Sequence, residues 1–440
     1  MESTNFKQRR FNTLSKLKDG IAIIPAATHQ TRSNDTEFSF RQNSNFKYLT
    51  GCSEPDAILV LTPHLEQKDH LFVRPNDRLM EIWSGRRLGP ERSKEVFDVD
   101  AAYPIDDFAK KLPELMKGHK EVFIDLFQNT ELFMQVRKAC MNLDPRGKLK
   151  VPTPKAFRHA NTIVEQQRLI KDQNEVIQMK KAAEATNKAH RAAMALANSG
   201  INESEVFNLM EYVFRKHGAH HSAYESIVAG GENGTILHYV ENNMTLNDGE
   251  MLLIDAGSEF NTYASDVTRT FPINGKYTGA QKEVYEIVLE AMKNSFSKCS
   301  VGHTLEEVHM ESVKSLSDGL RHLKLYTESV DEIIEKTLYK EFYPHGTSHW
   351  LGMDVHDQNP YMGDDYKPVK FEKGMLFTVE PGLYFQPDNM KIPAELRGMA
   401  VRIEDDILIT ENSYENLTAM IPKEIKEVEN ACQEDYKQFL

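Results

Sequence analysis

LLIDAGSEFNTYASDVTRTF, residues 252–271, holds two apolar runs of strand composition around a polar centre. Such runs, bounded by turn residues, predict a hairpin. A turn at Phe260–Asn261 places Asp255 and Asp266 at equal distances from it, facing each other across the ladder. Directly opposed residues have Cβ atoms about 5 Å apart, where like charges are destabilising. Two aspartates so placed are either solvated or held by a cation. The apolar flanks Leu252, Leu253, Ile254, Val267 and Phe271 disfavour the solvated version, but on spacing alone both readings stay open.

Three downstream segments carry further metal-type donors. HGTSHWLGMDVHD, residues 345–357, contains His345, His349 and His356. The i, i+4 pair His345/His349 has the spacing of a helical zinc site, yet Gly346 stands where H-E-x-x-H needs its glutamate, and Gly346 and Gly352 disfavour a helix. Any one of these histidines alone reads as a core or surface residue. FTVEPGLYF, 377–385, sets Glu380 in an apolar strand before Pro381–Gly382; a carboxylate there is paired or coordinated, because burying it alone is prohibitive. VRIEDDILIT, 401–410, puts Arg402 and Glu404 on one strand face with Val401 and Ile403 on the other. That pair is either a surface salt bridge or a metal ligand beside a cation that orients the carboxylates. Four carboxylates brought together in a cleft repel by several kcal/mol and call for compensating charge. One histidine cannot supply it, whereas two divalent cations can.

Other chemistries find little support. G-x-S-x-G and G-x-x-x-x-G-K-[ST] are absent. AGGENGTILHYVENN, 229–243, approaches a dinucleotide fingerprint, but Ala229 replaces the first glycine and a strand-like segment follows. A tight turn presenting His238 accounts for it better.

The chain has 440 residues, enough for two or three domains. A net charge of −13 argues against nucleic acid as partner. The N-terminus MESTNFKQRRF has no apolar core of a signal peptide, and no run approaches the roughly 18 apolar residues of a membrane span. Cys52, Cys140, Cys299 and Cys432 are scattered without a C-x-x-C pair and read as reduced thiols in a cytoplasmic protein. Residues 1–160 alternate helical stretches with candidate strands at Ile21–Ile24, Ala57–Leu61, Leu71–Val73 and Val122–Asp125, an α/β pattern. The polar stretch Arg146–Ala160, with Pro145 just before it and Pro152 and Pro154 within it, marks a boundary. Residues 161–440 read as an α+β domain, opening with one long helix over about Glu165–Asn198. Capping boxes are expected at Asn202/Glu205, Thr278/Gln281 and Thr304/Glu307. Strand pairs are expected in Met251–Phe271 and Leu376–Thr410, and a packing helix over Ile425, Val428 and Cys432.

Together these segments resemble the Xaa-Pro aminopeptidase (aminopeptidase P) branch of the pita-bread metallopeptidases, M24B-like, in the order Asp, Asp, His, Glu, Glu. FRQNSNFKYLTG (40–51), EPDAILVL (54–61) and EIWSGRRLG (81–89) are similar to the non-catalytic N-terminal domain of that branch. The likeness runs from about Phe40 to Leu417 and is weakest between about residues 100 and 165. It implies a pita-bread catalytic domain behind a smaller α/β domain. It implies that Asp255 binds one metal, His349 and Glu380 the other, with Asp266 and Glu404 bridging. It further implies that His238 and His356 contact substrate, and that His345, Tyr361 and Arg402 belong to the substrate side or its support. The resemblance gives the catalytic roles to His238, His356 and Glu380. Trp83 is implied to reach an active site, that of a neighbouring subunit included, in a homodimer or homotetramer.

The chemistry of the donors agrees with that likeness. An oxygen-rich set with one imidazole and no thiolate suits Mn2+ better than zinc, and two such ions lower the pKa of a bridging water. Hydroxide would attack the carbonyl between the first residue and proline, with His356 at the oxyanion and Glu380 carrying the proton to the leaving nitrogen. Proline lacks an N–H and fixes φ, so a pocket shaped for its ring is selective. The expected substrate is a peptide with proline in second position. The alternatives are a prolidase acting on Xaa-Pro dipeptides and a pita-bread binding module without catalysis.

Overall fold

The computed structural model describes residues 3–440 and divides into two compact units, one ending at Gln167 and the other spanning Arg168–Leu440. In the first, the apolar runs assemble into one six-stranded mixed sheet. Its spatial order is Ala101–Pro104, Asp69–Val73, Ile58–Leu61, Gly20–Pro25, Glu121–Ile124, Ala156–His159. The Gly20–Pro25 strand pairs antiparallel with Ile58–Leu61 and parallel with Glu121–Ile124. Ile21, Ile23, Val60, Phe72, Val122 and Ile124 form one core with Phe108, Leu112 and Met116 of helix Phe108–Met116 and with Val136 of helix Thr130–Leu143. Their alternation along the strands gives the sheet its apolar face.

The second unit is organised by two β-ribbons. In the first ribbon, Met251–Asp255 pairs with Thr268–Pro272, and Ser258–Phe260 pairs with Tyr263–Ala264. The turn residues Asn261 and Thr262 both have positive φ, 49° and 68°, as a two-residue type I′ hairpin requires. This turn lies one residue later than the sequence suggests, and it corrects the expected register. Asp255 faces Thr268, so Asp266 is its diagonal neighbour on the same face rather than its direct opposite.

In the second ribbon, Leu376–Val379 pairs with Asp405–Ile409 and Gly382–Tyr384 with Ala400–Arg402, in one continuous register. That register places Glu380 opposite Glu404, at the point where regular pairing is interrupted. The like-charge opposition expected in the first ribbon therefore occurs in the second. The ribbons are stitched together by Glu404 N–H donating to Thr268 O at 3.0 Å, and by Thr270 Oγ1, which donates to Arg402 O at 2.9 Å and accepts from its N–H at 3.1 Å.

The single helix expected over Glu165–Asn198 is two, Asn161–Arg168 and Gln173–Leu196. The break follows from Asp172, whose carboxylate caps Asn174 and Glu175 N–H while Glu175 returns to the Asp172 N–H, a complete capping box. Boxes form as expected at Asn202/Glu205 and Thr278/Gln281. At Thr304 only half forms: the Thr304 hydroxyl accepts from Glu307 N–H, while the Glu307 carboxylate turns to His303 Nδ1 at 3.2 Å. The helix Ile425–Ala431 packs Val428 and Ala431 against Val206, Phe214 and Phe271.

A β-branched residue in the left-handed region is strained by about 1–2 kcal/mol, and glycine gives back part of any relief by loosening the unfolded chain. Thr262→Gly is therefore expected to stabilise the fold by about 0.5–1 kcal/mol. A higher midpoint in thermal unfolding checks this; a lower one would show that the Thr262 side chain outweighs the strain.

Candidate metal centre

Asp255 ends the strand Met251–Asp255, and Asp266 lies just before Thr268–Pro272. Glu380 follows Leu376–Val379, and Glu404 sits between Ala400–Arg402 and Asp405–Ile409. Each carboxylate thus stands where strand pairing stops and the side chain is released from the pleat. His349 comes from the irregular segment after Phe342, held by the fully buried Trp350, whose ring packs edge-on against Phe371 and Phe377. All five line one cleft of about 380 Å³, together with Tyr224, His238, His345, His356 and Arg402. Asp266, His349 and Glu404 each offer an atom within 4.8 Å of the others. His349 Nε2 lies 3.2 Å from Asp266 Oδ2 and 3.7 Å from Glu380 Oε1.

The network around these donors fixes proton positions. His349 Nδ1 sits 3.1 Å from Trp350 O, so it carries the N–H and Nε2 faces the carboxylates. Arg402 is buried rather than on the surface: Nη2 donates to Asp255 Oδ2 at 2.7 Å, Nε to Thr268 Oγ1 at 3.0 Å and Nη1 to Tyr384 OH at 2.9 Å. It therefore pairs with Asp255 and not with Glu404. The Tyr384 hydroxyl, accepting from Arg402, donates to His345 Nε2 at 2.8 Å, and His345 Nδ1–H donates to Gly346 O at 2.7 Å. Both nitrogens of His345 are committed, so it supports Arg402 through Tyr384 and keeps none for a ligand. Burial and the Arg402 charge hold His345 down at about 3, neutral as this chain requires. His356 stacks edge-on against His349, ring centroids 4.4 Å apart, and is exposed to the cleft, as is His238. Tyr361 is set apart; it packs against Trp350 and is not among the cleft's lining residues.

Several contributors carry no motif. Tyr224 OH lies 2.6 Å from Asp255 Oδ1 and 2.5 Å from Asp266 Oδ1; its single proton cannot serve both acceptors fully. Thr268 Oγ1 donates to Glu404 Oε2 at 2.7 Å. Asp406 accepts the Asp266 N–H at 3.2 and 3.3 Å. Arg269, fully buried, spends all its N–H groups: Nη1 on Thr268 O and Glu404 O, Nη2 on Asp405 Oδ1 and Ile421 O, and Nε on Pro422 O. Beneath the His349–His356 segment, Asp357 is held by Arg168 and by Lys171, 3.2 Å away, and Arg168 also reaches Asp354 at 2.7 Å.

The donor set fits a divalent metal centre. Four carboxylates converge with one guanidinium, and in the metal-free protein Asp255, Glu380 and Glu404 hold protons more tightly than usual. Burial pushes Glu380 up to about 7 against the pull of His349 and Arg402. Burial and the neighbouring carboxylates raise Glu404 well above its ordinary value, and burial raises Asp255 despite Arg402. Burial alone would lower His349, but Asp266 and Glu380 outweigh it and lift it to about 9. A larger groove of about 1140 Å³ runs along helices Gly279–Ser295 and Leu305–His322; Lys282 pairs there with Glu286 and Lys293 with Glu424, and none of the five donors lines it.

Two family models match this chain: Metallopeptidase family M24 over residues 177–411, and Aminopeptidase P, N-terminal domain, over residues 6–123. The chain is 40 % identical to the Xaa-Pro aminopeptidase of Escherichia coli (strain K12), over 96 % of each protein. It is similar to the structure of Pseudomonas aeruginosa aminopeptidase PepP, with a TM-score of 0.96 and 39 % identity, covering 100 % of this chain and 99 % of that one. It also resembles Zn-substituted E. coli aminopeptidase P in complex with product, with a TM-score of 0.94 and 39 % identity over 98 % of both chains.

Metal-free protein should lose stability as pH rises. Glu380 and His349 have native pKa values, about 7 and about 9, above the unfolded values of 4.5 and 6.5. The native state therefore holds more protons than the unfolded one, and the stabilisation is lost as pH climbs through those values. His345 works the opposite way below about 6.5, so the test window is about pH 7 to 9. The metal-stripped midpoint of unfolding should fall across it, and a divalent ion should restore it while releasing protons. A midpoint that rises from pH 7 to 9 without metal would contradict the charge imbalance.

Proposed function

The chain belongs to metallopeptidase family M24, in its Xaa-Pro aminopeptidase branch, and on that premise we propose a metal-dependent exopeptidase. It releases the first residue from peptides whose second residue is proline, using two divalent ions, Mn2+ foremost. The observation that carries this reading is the convergence of four carboxylates and the Nε2 of His349, which faces Asp266, on one cleft that holds a single guanidinium. Asp255 would hold one ion, His349 and Glu380 the other, and Asp266 and Glu404 both; the absence of a thiolate favours a hard cation. When bound, the pair supplies a hydroxide nucleophile at neutral pH and polarises the scissile carbonyl.

The remaining roles fall to the chain's own groups. Glu380 takes the nucleophile's proton on a carboxylate oxygen and delivers it to the leaving proline nitrogen. His356 donates an imidazole N–H to the developing oxyanion, and His238, on the same cleft, contacts the substrate. Arg402, whose Nε, Nη1 and Nη2 each donate once within the protein, orients Asp255 and also lines the cleft on the substrate side, and His345 holds Arg402 through Tyr384. Tyr361 would meet only the outer part of a longer peptide. The match of the N-terminal model favours an aminopeptidase over a prolidase.

The same reading makes the enzyme a cytoplasmic homodimer or homotetramer. All four cysteines are free thiols, and among the described residues no helix is long and apolar enough to cross a membrane. The short helix Arg78–Ser84 exposes Leu79, Ile82 and Trp83, the last at 87 %, an apolar face of the kind that marks a protein interface.

Metal-stripped protein given Mn2+ should cleave Xaa-Pro-Yaa-Zaa and take up two ions per chain. Cleavage of Xaa-Pro alone, with the longer peptide intact, would make it a prolidase; no turnover with any of Mn, Co or Zn would make it a binding module. Trp83→Ala should shift the sedimentation profile toward monomer; an unchanged profile would remove that helix from the interface.

A further inference from the structure

Glu203 opens the helix Glu203–Lys216 and is completely buried, yet among the described residues no cation pairs with it. A buried carboxylate survives only where hydrogen bonds replace water. Here four donors do so: Oε1 accepts from Gly230 N–H at 2.8 Å and Asn233 Nδ2 at 3.1 Å, and Oε2 from Tyr239 OH at 2.8 Å and Met244 N–H at 2.9 Å. All four partners belong to one stretch, from the end of strand Ile227–Gly230 to Met244. Burial and the Glu203 carboxylate push the Tyr239 phenol up to about 12, so it stays a donor.

This stretch carries His238. It holds only a short 3-10 turn, Gly231–Thr235, and exposes Ile236, Val240 and Met244, so little apolar burial fixes its path. Tyr239 and, in part, Leu237 are the exceptions: the Tyr239 ring is packed with Ile227, Ala229, Leu253, Tyr384 and Ala400, and Leu237 lies against that cluster. The Tyr239 hydroxyl ends on Glu203, while the preceding His238 lines the metal cleft. One carboxylate therefore ties both ends and the middle of the loop that places this imidazole, beside the buried Asn242, which accepts from Val228 N–H and donates to Ser226 O, and the Glu203 N–H, which donates to Met244 O at 2.9 Å.

We propose that Glu203 is a positioning residue for the peptidase reaction, holding the Gly230–Met244 loop so that His238 meets the substrate. The inference rests on the substrate-contacting reading of His238 given above. Glu203→Gln preserves size but leaves one oxygen for donors that used two, and sets an N–H2 against the Met244 N–H. Misplacement of a substrate-contacting group by about an ångström costs as much as about 100-fold in rate.

The test is a double-mutant cycle in the metal-loaded full chain, reading kcat/KM on an Xaa-Pro peptide together with bound metal per chain. Glu203→Gln should lower kcat/KM by about 10-fold or more with metal content unchanged, and should add less than about 2-fold in a His238→Ala background. Tyr239→Phe, which removes one of the four donors, should show the same dependence at smaller size, and decides the matter if Glu203→Gln fails to fold. An equal loss in both backgrounds, or no loss from Glu203→Gln, overturns the proposal. A His238→Ala protein with full activity overturns instead the reading of His238, and the proposal with it.

Discussion

Crowding of negative charge is the constraint on which this structure turns. Asp255, Asp266, Glu380 and Glu404 share one cleft, and the guanidinium of Arg402 directly neutralises only Asp255. The ribbon register makes it sharper by setting Glu380 opposite Glu404. A protein without metal can relieve such repulsion only by taking up protons, and the raised affinities of Glu380, Glu404 and Asp255 record that response. Arg402 and His349 together offer two positive charges to four carboxylates, so holding all four ionised calls for further positive charge from outside the chain.

The rest of the catalytic unit keeps these groups from moving apart. Hydrogen bonds to Thr268 and Thr270 join the two ribbons. Arg269 reinforces that seam from behind by clamping the carbonyls of Thr268 and Glu404 and pairing with Asp405. The Arg168–Asp357–Lys171 cluster performs the corresponding task under the segment that carries His349 and His356. Buried ion pairs add little net stability because desolvation offsets their attraction. Their value here lies in specifying one backbone path, since each charge is satisfied only in that arrangement.

Much of this was legible in the sequence because ionisable residues in apolar runs beside Gly, Pro or aromatics are costly without a purpose. Asp255, His349, Glu380 and Glu404 stand out on that ground, and the strands of both units follow from their apolar runs. The hairpin register was not legible. It depends on Asn261 and Thr262 both adopting positive φ, and threonine is a poor residue for that region. The helix break at Asp172 was written in an Asp-x-x-Glu capping signature but lacks a Gly or Pro to announce it. Tyr224 and Arg269 gave no signal because their partners are distant in the chain: Tyr224 bonds to carboxylates 31 and 42 residues away. The commitment of both His345 nitrogens could be seen only once Tyr384 and Arg402 were placed beside it.

The interruption of both ribbons at the donor positions has a consequence for how the molecule matures. The five donors are drawn from segments spread over about 150 residues, so high affinity requires the most distant chain pairings to be in place. A complete donor set for an ion would thus exist only once both ribbons are paired with each other. A chain that ends before the second ribbon would carry Asp255, Asp266 and His349 without Glu380 and Glu404, and so lack two of the five donors.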